Sequence, residues 1–227
     1  MYFPWVGMFE QIRLANTFVF YDDVQFSKGS FTNRVQIKTA NKEGFKWITV
    51  PIENLKLGIK INEAIVNDSK GWRSEHYSLL ENSYKSTPYF TDMFELVHNV
   101  LEKDYAMLSD ISVASMKEVC RYYNLNPDFF ISSQMDIGGK SSDRVFEIVR
   151  TLSGSNYITG HGAKNYLDHK LFDGNGIDVQ YMDYKKTPYP QILGDFNPYV
   201  SILDLIANTG KDGIQYINSS TKSWKEI

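Results

Sequence analysis

The sequence is poor in cysteine, in long apolar runs and in net charge. Cys120 is the only cysteine among 227 residues, which excludes an internal disulfide framework and a zinc site built from several cysteines. No stretch approaches the ~20 consecutive apolar residues of a membrane span. The net charge of −3 is too small and of the wrong sign for non-specific nucleic-acid binding. These absences predict a cytoplasmic protein with no membrane span and no nucleic-acid partner.

Aromatic residues, in contrast, are abundant. They make up 15% of the chain, with Tyr 15 and Phe 14. Most of them are expected to pack in a core, although Tyr and Trp rings also stack on sugars and nucleotides. The chain has no internal repeat and no Pro/Ser-rich linker. We therefore predict one domain over residues 1–227, large enough to bury a core without disulfides or structural metals.

The order of apolar patterns predicts the fold class. Residues 34–39 and 45–50 alternate with period two around a Gly-containing turn, which indicates an antiparallel β-hairpin. Apolar residues spaced three and four apart over about residues 72–125 predict an inserted helical layer. Strands and helices then alternate with short connections, as in a parallel sheet. The prediction is an α/β fold with a mainly parallel sheet flanked by helices, plus the hairpin and the inserted layer.

Three polar clusters follow predicted strands and are expected to share a crevice at the carboxyl ends of those strands. Asp22 and Asp23 end an apolar strand, where one carboxylate could act as a general base or hold Mg²⁺. The alternative is an acidic turn that is salt-bridged to the basic hairpin. Ser132 and Ser133 could bind phosphate or, as we favour from the sequence, cap a turn.

Gly160 and Gly162 bracket His161 in a turn between a strand and a helix. Glycines allow close approach of a ligand to the backbone, and an imidazole there could act as a general acid or base. The alternative is a tight turn with an exposed histidine. The expected binding residues elsewhere are basic, amide and aromatic. They are Lys28, Asn33, Arg34, Tyr166, Tyr189 and Gln191.

Several well-known motifs are missing. Residues 138–142 (Gly-Gly-Lys-Ser-Ser) lack the spacing of a phosphate-binding P-loop, and no dinucleotide-binding glycine fingerprint occurs. No Gly-x-Ser-x-Gly elbow supports a hydrolase triad. The remaining histidines lie on helical patterns without metal-ligand spacing. No metal site is predicted, and no motif points to a particular cofactor.

An ordered series of short motifs is more specific. It comprises Tyr2-Phe-Pro-Trp5-x-Gly7, residues 18–26, Asn33-Arg34, Trp72, Tyr84-Lys85, Ser132-Ser133, residues 160–168, Tyr189-Pro-Gln191, Phe196-x-Pro198 and Ser201-x-Leu-Asp204. In this series the chain resembles the WbqC-like protein family over essentially its whole length. It departs from the family at Asn16, Phe31 and Val35. The family also has an apolar strand before the Tyr-Phe-Pro element, so we expect an unfilled strand position beside residues 18–21.

The resemblance implies a bacterial protein encoded among surface-polysaccharide genes, such as O-antigen genes. Acids, an arginine, a glycine-bracketed histidine and aromatic rings suit an anionic, sugar-bearing ligand. We therefore expect a transferase that places an acyl or aminoacyl group on a nucleotide-linked amino sugar. His161 or Asp23 would deprotonate the amine, while Arg34 and Lys28 hold phosphates. The alternatives are a nucleotidyl-transfer or adenylate-forming enzyme, and a non-catalytic binding module of a polysaccharide-assembly complex.

Overall fold

The computed structural model describes residues 1–227, which form seven α-helices and seven β-strands. The helices are α1 Val6–Leu14, α2 Trp72–Tyr84, α3 Phe90–Leu101, α4 Leu108–Tyr123, α5 Ser141–Thr151, α6 His169–Asp173 and α7 Ile202–Thr209. The strands are β1 Thr17–Phe20, β2 Arg34–Lys38, β3 Phe45–Thr49, β4 Asp128–Ile131, β5 Asn156–Thr159, β6 Asp178–Asp183 and β7 Ser220–Ser223. None of the helices is both long enough and apolar enough to cross a lipid bilayer.

The strands form three small sheets. β1 pairs with β4 in parallel, and β5 pairs with β6 in parallel while β7 adds to β6 in antiparallel orientation. The hairpin of β2 and β3 is separate. The α/β class and the antiparallel hairpin are thus confirmed. The mainly parallel sheet is confirmed only in part, because the parallel pairs β1–β4 and β5–β6 belong to separate sheets. Residues of β1 and β5 line a cavity between these sheets.

The inserted helices α2, α3 and α4 build the larger of two hydrophobic cores. α3 shows why this segment folds as it does, because its buried residues recur at helical spacing at Met93, Leu96, Val97, Val100 and Leu101. Every residue of α7 is buried, so this helix lies inside the core and not on its surface. This core of 35 residues fixes the N-terminal loop and the segment before α7 relative to each other.

A second, smaller core forms between α5, the segment after β5, α6 and β6. Its eight buried residues include Phe172, whose ring stacks on Tyr157 of β5 at 5.6 Å and meets Phe146 of α5 edge-on at 5.6 Å. α5 connects β4 to β5, which belong to different sheets. Because β1 and β4 pair in parallel, their carboxyl ends lie side by side and carry two of the three predicted polar clusters.

Candidate functional site

The ends of β1 and β4 carry a hydrogen-bonded group that we call the acidic cluster, formed by Asp22, Asp23, Ser132, Ser133 and Arg144. Asp22 accepts from the Ser133 backbone N–H at 3.0 Å and from its hydroxyl at 2.8 Å. The Ser132 hydroxyl donates to Asp23 at 2.6 Å and accepts from the Asp22 backbone N–H at 3.2 Å. The structure thus brings two of the three predicted polar clusters together, and their hydrogen bonds tie β1 to β4.

Arg144, in the first turn of α5, balances one of the two carboxylates of this cluster. Its guanidinium forms an ion pair with Asp23, donates to the Ile137 carbonyl at 3.0 Å and lies 5.2 Å from the Tyr21 ring centre. Burial alone would raise the pKa of Asp23, but hydrogen bonds from Arg144 and Ser132 outweigh it and lower the pKa below its usual value. Asp23 is therefore a weak base. The sequence offered no signal for Arg144, because 121 residues separate it from its partner.

The predicted turn after β5, which we call the histidine turn, contains Gly160, His161 and Gly162. The His161 ring stacks on Tyr181 with centroids 6.2 Å apart and approaches Tyr184 at the same distance. A side chain at position 160 would meet the Tyr184 hydroxyl at 3.3 Å, which explains a glycine there. His161 is exposed, so one face of its imidazole meets solvent while the ring stacks on Tyr181.

The rings of Tyr184, Trp5 and Tyr199 lie next to one another, beginning beside His161. We call these three rings the aromatic wall. Trp5 lies 5.0 Å from Tyr184 and 5.7 Å from Tyr199 between ring centres. The indole folds back over Gly7 at the start of α1, where an added Cβ would come within 2.3 Å of the ring. Glycine at position 7 is therefore required for this orientation of Trp5. Tyr199 is 44% exposed, so the wall is open to a ligand.

Lys186 supplies a cation at the end of the aromatic wall. Its Nζ donates to the Tyr199 hydroxyl at 2.7 Å and lies 4.9 Å from that ring's centre. The backbone of Lys186 has φ 49°, a left-handed conformation that is uncommon for a residue other than glycine and frequent at functional sites. Lys164, behind the histidine turn, places a second ammonium 5.6 Å from the Tyr181 ring centre. Sequence reasoning missed Lys186, which belongs to no motif.

Tyr166 follows the histidine turn in the chain, and its side chain is 52% exposed. Its carbonyl accepts from the Ser142 hydroxyl of α5 at 3.0 Å, two residues before Arg144 of the acidic cluster. Burial raises the pKa of Tyr21, beside Arg144, and that of Tyr181, which stacks with His161. No hydrogen bond joins His161 to either aspartate.

The predicted phosphate-binding residues of the hairpin region make their contacts within the hairpin. The side chain of Asn33 is buried and donates to the Val50 carbonyl at 2.8 Å. Arg34 donates to the Gly29 carbonyl, and its guanidinium lies 4.2 Å from the Trp47 ring centre. Lys28 is exposed. A role for these three residues in ligand binding stays a prediction.

Tyr189 and Gln191 contact other residues of the segment between β6 and α7 and stabilise it. Tyr189 is only 6% exposed and packs edge-on against Phe196 at 5.3 Å. Gln191 donates to the Tyr189 hydroxyl at 3.0 Å and accepts from the Asn197 backbone N–H at 2.9 Å. These contacts fix the segment that carries Lys186 and Tyr199. Tyr189 also lines a small pocket together with Trp5 and Lys186, and ligand binding by Tyr189 and Gln191 stays a prediction.

The open part of the site comprises the histidine turn, the aromatic wall, Lys164 and Lys186. No three His, Cys, Asp or Glu side chains converge anywhere in the chain as a metal site would require. The chemistry available is one imidazole for proton transfer, two ammonium groups for an anion and several rings for stacking. This arrangement suits an anionic ligand that carries a sugar or planar ring.

Sequence comparisons relate this chain to known proteins over nearly its whole length. The model of the WbqC-like protein family matches residues 1–216. The uncharacterized protein Rv1507c of Mycobacterium tuberculosis is 30% identical over 219 residues, which cover 95% of this chain and 94% of that protein. No solved structure matches the chain significantly.

Proposed function

The chain belongs to the WbqC-like protein family, and on that basis we propose that it is a cytoplasmic transferase of surface-polysaccharide biosynthesis. Its substrate in this proposal is a nucleotide-linked amino sugar, which receives an acyl or aminoacyl group on its nitrogen. The family resemblance supports the polysaccharide context. The chemistry of the open site supports the class of substrate.

The observation that carries the proposal is the alignment of one imidazole, aromatic rings and ammonium groups along a single surface. Trp5 and Tyr199 offer faces on which a sugar or nucleobase can stack. Lys186 stands at the end of this surface, where it can pair with one phosphate of the ligand. His161 lies at the other end, beyond Tyr184, and can reach an amino group on the sugar.

The proposed reaction is nucleophilic acyl transfer. The neutral amine attacks the carbonyl carbon of an activated acyl donor, so an N–C bond forms and the bond from carbon to the leaving group breaks. His161 takes the proton that the amine loses and returns it to the leaving group, which departs with the bonding electron pair. Protons and electrons therefore balance with no further reactant.

We assign the base to His161 in preference to the two aspartates. Asp22 already accepts the Ser133 N–H and hydroxyl, and Asp23 is paired with Arg144 and Ser132. The pKa of Asp23 lies below its usual value, which makes that carboxylate a poor acceptor for an amine proton. In this proposal the acidic cluster shapes the edge of the fold beside the reacting groups.

The proposal is tested by titrating UDP-glucosamine, and separately ATP with Mg²⁺, into the protein while following the melting temperature. UDP-glucosamine should stabilise the native protein, since a ligand that binds only the folded state raises its stability. Lys186→Ala should weaken binding roughly tenfold, the effect of losing one charge-assisted contact. Lys185→Ala is the matched control, because that lysine pairs with Asp183 instead of the aromatic wall.

His161→Gln should leave UDP-glucosamine binding within about twofold and reduce acyl transfer by 10²–10⁴-fold, the usual contribution of a general base. Transfer is followed by mass spectrometry of the sugar with acyl thioester and aminoacyl donors. Stabilisation by ATP alone would favour the nucleotidyl-transfer alternative instead. Binding of UDP-glucosamine that is unaffected by Lys186→Ala would contradict the proposed site.

A further inference from the structure

A series of ring contacts leads from the histidine turn into the fold. The His161 ring stacks on Tyr181 of β6, with the ring centres 6.2 Å apart. The Tyr181 hydroxyl lies 2.8 Å from Nε2 of His169, at the start of α6. The Trp224 ring stacks on His169 with the ring centres 4.8 Å apart. The exposed imidazole of the proposed site is therefore linked to a second histidine, which the proposed reaction does not use.

His169 is the hydrogen-bond partner of a buried hydroxyl that has no other. Tyr181 is only 1% exposed, and its hydroxyl makes no second hydrogen bond within the chain. A buried hydroxyl that loses its partner costs free energy, so this contact fixes the position of the Tyr181 ring. His169 is held in turn, because the Asp168 carboxylate caps the start of α6. This carboxylate accepts from the Lys170 and Leu171 N–H groups at 3.1 and 3.2 Å.

The Tyr181 ring supports two polar side chains of the open site. His161 stacks on it, and Nζ of Lys164 lies 5.6 Å from its centre, within the range of cation–π attraction. Both side chains come from the 3₁₀ turn His161–Asn165, in which residues three apart project from the same side. The position of one buried ring therefore sets the positions of the proposed base and of an ammonium group.

The hydrogen bond of Tyr181 also affects the charge that its ring can support. When the hydroxyl donates to a neutral imidazole, the phenol is polarised and its ring becomes richer in electrons. A ring with more electron density on its face attracts a cation more strongly. In the proposed reaction His161 becomes an imidazolium as it takes the proton from the amine. The contact therefore favours the form of His161 that the reaction produces.

We propose that His169 is a positioning residue for His161: its Nε2 accepts the hydrogen bond of the Tyr181 hydroxyl and so holds the ring on which His161 stacks. His169 touches no substrate and transfers no proton. The catalytic part of this inference rests on the proposed function, in which His161 is the general base. The orientation of the His161 ring, in contrast, is measured without any substrate. A histidine that served only to stabilise α6 would leave His161 unchanged.

The orientation is tested by NMR of the histidine rings, of which the chain has four. In the unmodified protein the His161 ring protons should show the ring-current shift of a ring stacked on tyrosine. His169→Leu and Tyr181→Phe both remove the contact, so both should lose much of that shift at His161. His169→Gln offers an amide oxygen as acceptor in place of Nε2 and should restore it. Tyr77→Phe is the matched control, because it removes the hydroxyl 3.5 Å from Nδ1 of His98 and should leave His161 unchanged.

The effect on the reaction is tested by acyl transfer to UDP-glucosamine. His169→Leu and Tyr181→Phe should each lower kcat roughly tenfold, the effect of losing one hydrogen bond, while KM stays within about twofold. The double variant should be no slower than either single variant, because both substitutions remove the same contact. His169→Gln should recover most of the rate, and Tyr77→Phe should be as active as the unmodified protein.

Unchanged His161 resonances in a folded His169→Leu variant would overturn the proposal. So would additive losses of kcat in the double variant, or a His169→Gln variant that folds normally and is as slow as His169→Leu. If His169→Leu does not fold, Tyr181→Phe and His169→Gln carry the same comparison. Absence of transfer by the unmodified protein would contradict the proposed function alone, and the His161 resonances would still decide whether His169 positions that ring.

Discussion

The acidic cluster and the aromatic wall both contain residues that belong to the same family resemblance, yet the two regions differ in what their polar atoms contact. In the acidic cluster, Asp22 and Asp23 are each satisfied by serine or arginine groups of the fold. In the aromatic wall Tyr199 is exposed to solvent, as is His161 in the adjoining histidine turn. A motif residue can therefore maintain the edge of a site or act within it.

Polarity at a strand end is therefore a weak guide to function when the contacts of the polar side chains are unknown. The Asp22 carboxylate aligns the ends of β1 and β4, a structural role that a ligand site also needs. The exposed rings and Lys186 make few contacts with the rest of the fold, so substituting them removes few stabilising interactions. We therefore expect substitutions in the acidic cluster to act on stability and those along the wall to act on ligand affinity.

The largest effect is expected for Asp22→Ala. It removes an acceptor of the Ser133 N–H and hydroxyl and of the buried Ser132 hydroxyl, so the free energy of unfolding should fall by about 3 kcal/mol. Urea denaturation measures this change. Asp22→Asn keeps one acceptor oxygen and should recover part of the loss. Unchanged stability with lost ligand binding would place Asp22 in the binding surface and break the comparison.

Gly7→Ala is expected to have an intermediate effect on ligand binding. The new Cβ would lie 2.3 Å from the Trp5 ring and force the indole to move, whereas alanine itself favours the helix. Affinity for UDP-glucosamine, measured by calorimetry, should fall roughly tenfold or by about 1.4 kcal/mol. As a control, Gly138→Ala, outside the open site, meets no atom within 4 Å and should leave the affinity unchanged. Full affinity in Gly7→Ala would exclude Trp5 from the ligand surface.

The Asp23–Arg144 pair should show a smaller, pH-dependent effect. The pKa of Asp23 is lowered in the folded protein, so the stability that this carboxylate contributes is present above its unfolded value near 3.8. That stability is lost as the pH falls through the lower folded pKa. Asp23→Asn should therefore cost roughly 1 kcal/mol at pH 7 and flatten the loss of stability below pH 4. If the free energy of unfolding depended on pH in the same way in Asp23→Asn and in the unmodified protein, the pairing of Asp23 with Arg144 would be contradicted.

The smallest effect on ligand binding is expected for Arg34→Ala. Its guanidinium already contacts the Gly29 carbonyl and the Trp47 ring, so we expect affinity for UDP-glucosamine to change less than twofold. The melting temperature should fall slightly because the hairpin loses these contacts. A tenfold loss of affinity would restore Arg34 as a phosphate-binding residue and extend the site to the hairpin.

Local patterns were enough to predict the hairpin, the three inserted helices and the strands that end at the polar clusters. The period-two alternation of β2, for instance, places Val35 and Ile37 in the core. The pairing of strands that are far apart in the sequence was harder to predict. Nothing in the local pattern of β1 or β5 indicates that a cavity separates them, because strand order depends on contacts across the whole chain.

The same distinction applies to the site. The histidine turn was recognisable because two glycines bracket a titratable residue within three positions. Arg144 and Lys186 were not, since their partners Asp23 and Tyr199 are brought close only by folding. Tyr189 and Gln191 were expected to line the ligand, but their partners in the folded chain are Phe196 and Asn197. The sequence indicates which side chains could bind a ligand or transfer a proton. Packing determines which of them are exposed to a ligand.

The most direct test of the account uses the four tryptophan indoles as reporters in a two-dimensional ¹H–¹⁵N NMR titration with UDP-glucosamine. Trp5 lies in the aromatic wall, and Trp47 lies under Arg34 in the hairpin. If the wall binds the ligand, the Trp5 indole resonance should shift in a saturable manner while Trp47 stays unchanged. A shift of Trp47 with Trp5 unmoved, or no shift of either at millimolar ligand, would contradict the aromatic wall as the binding surface.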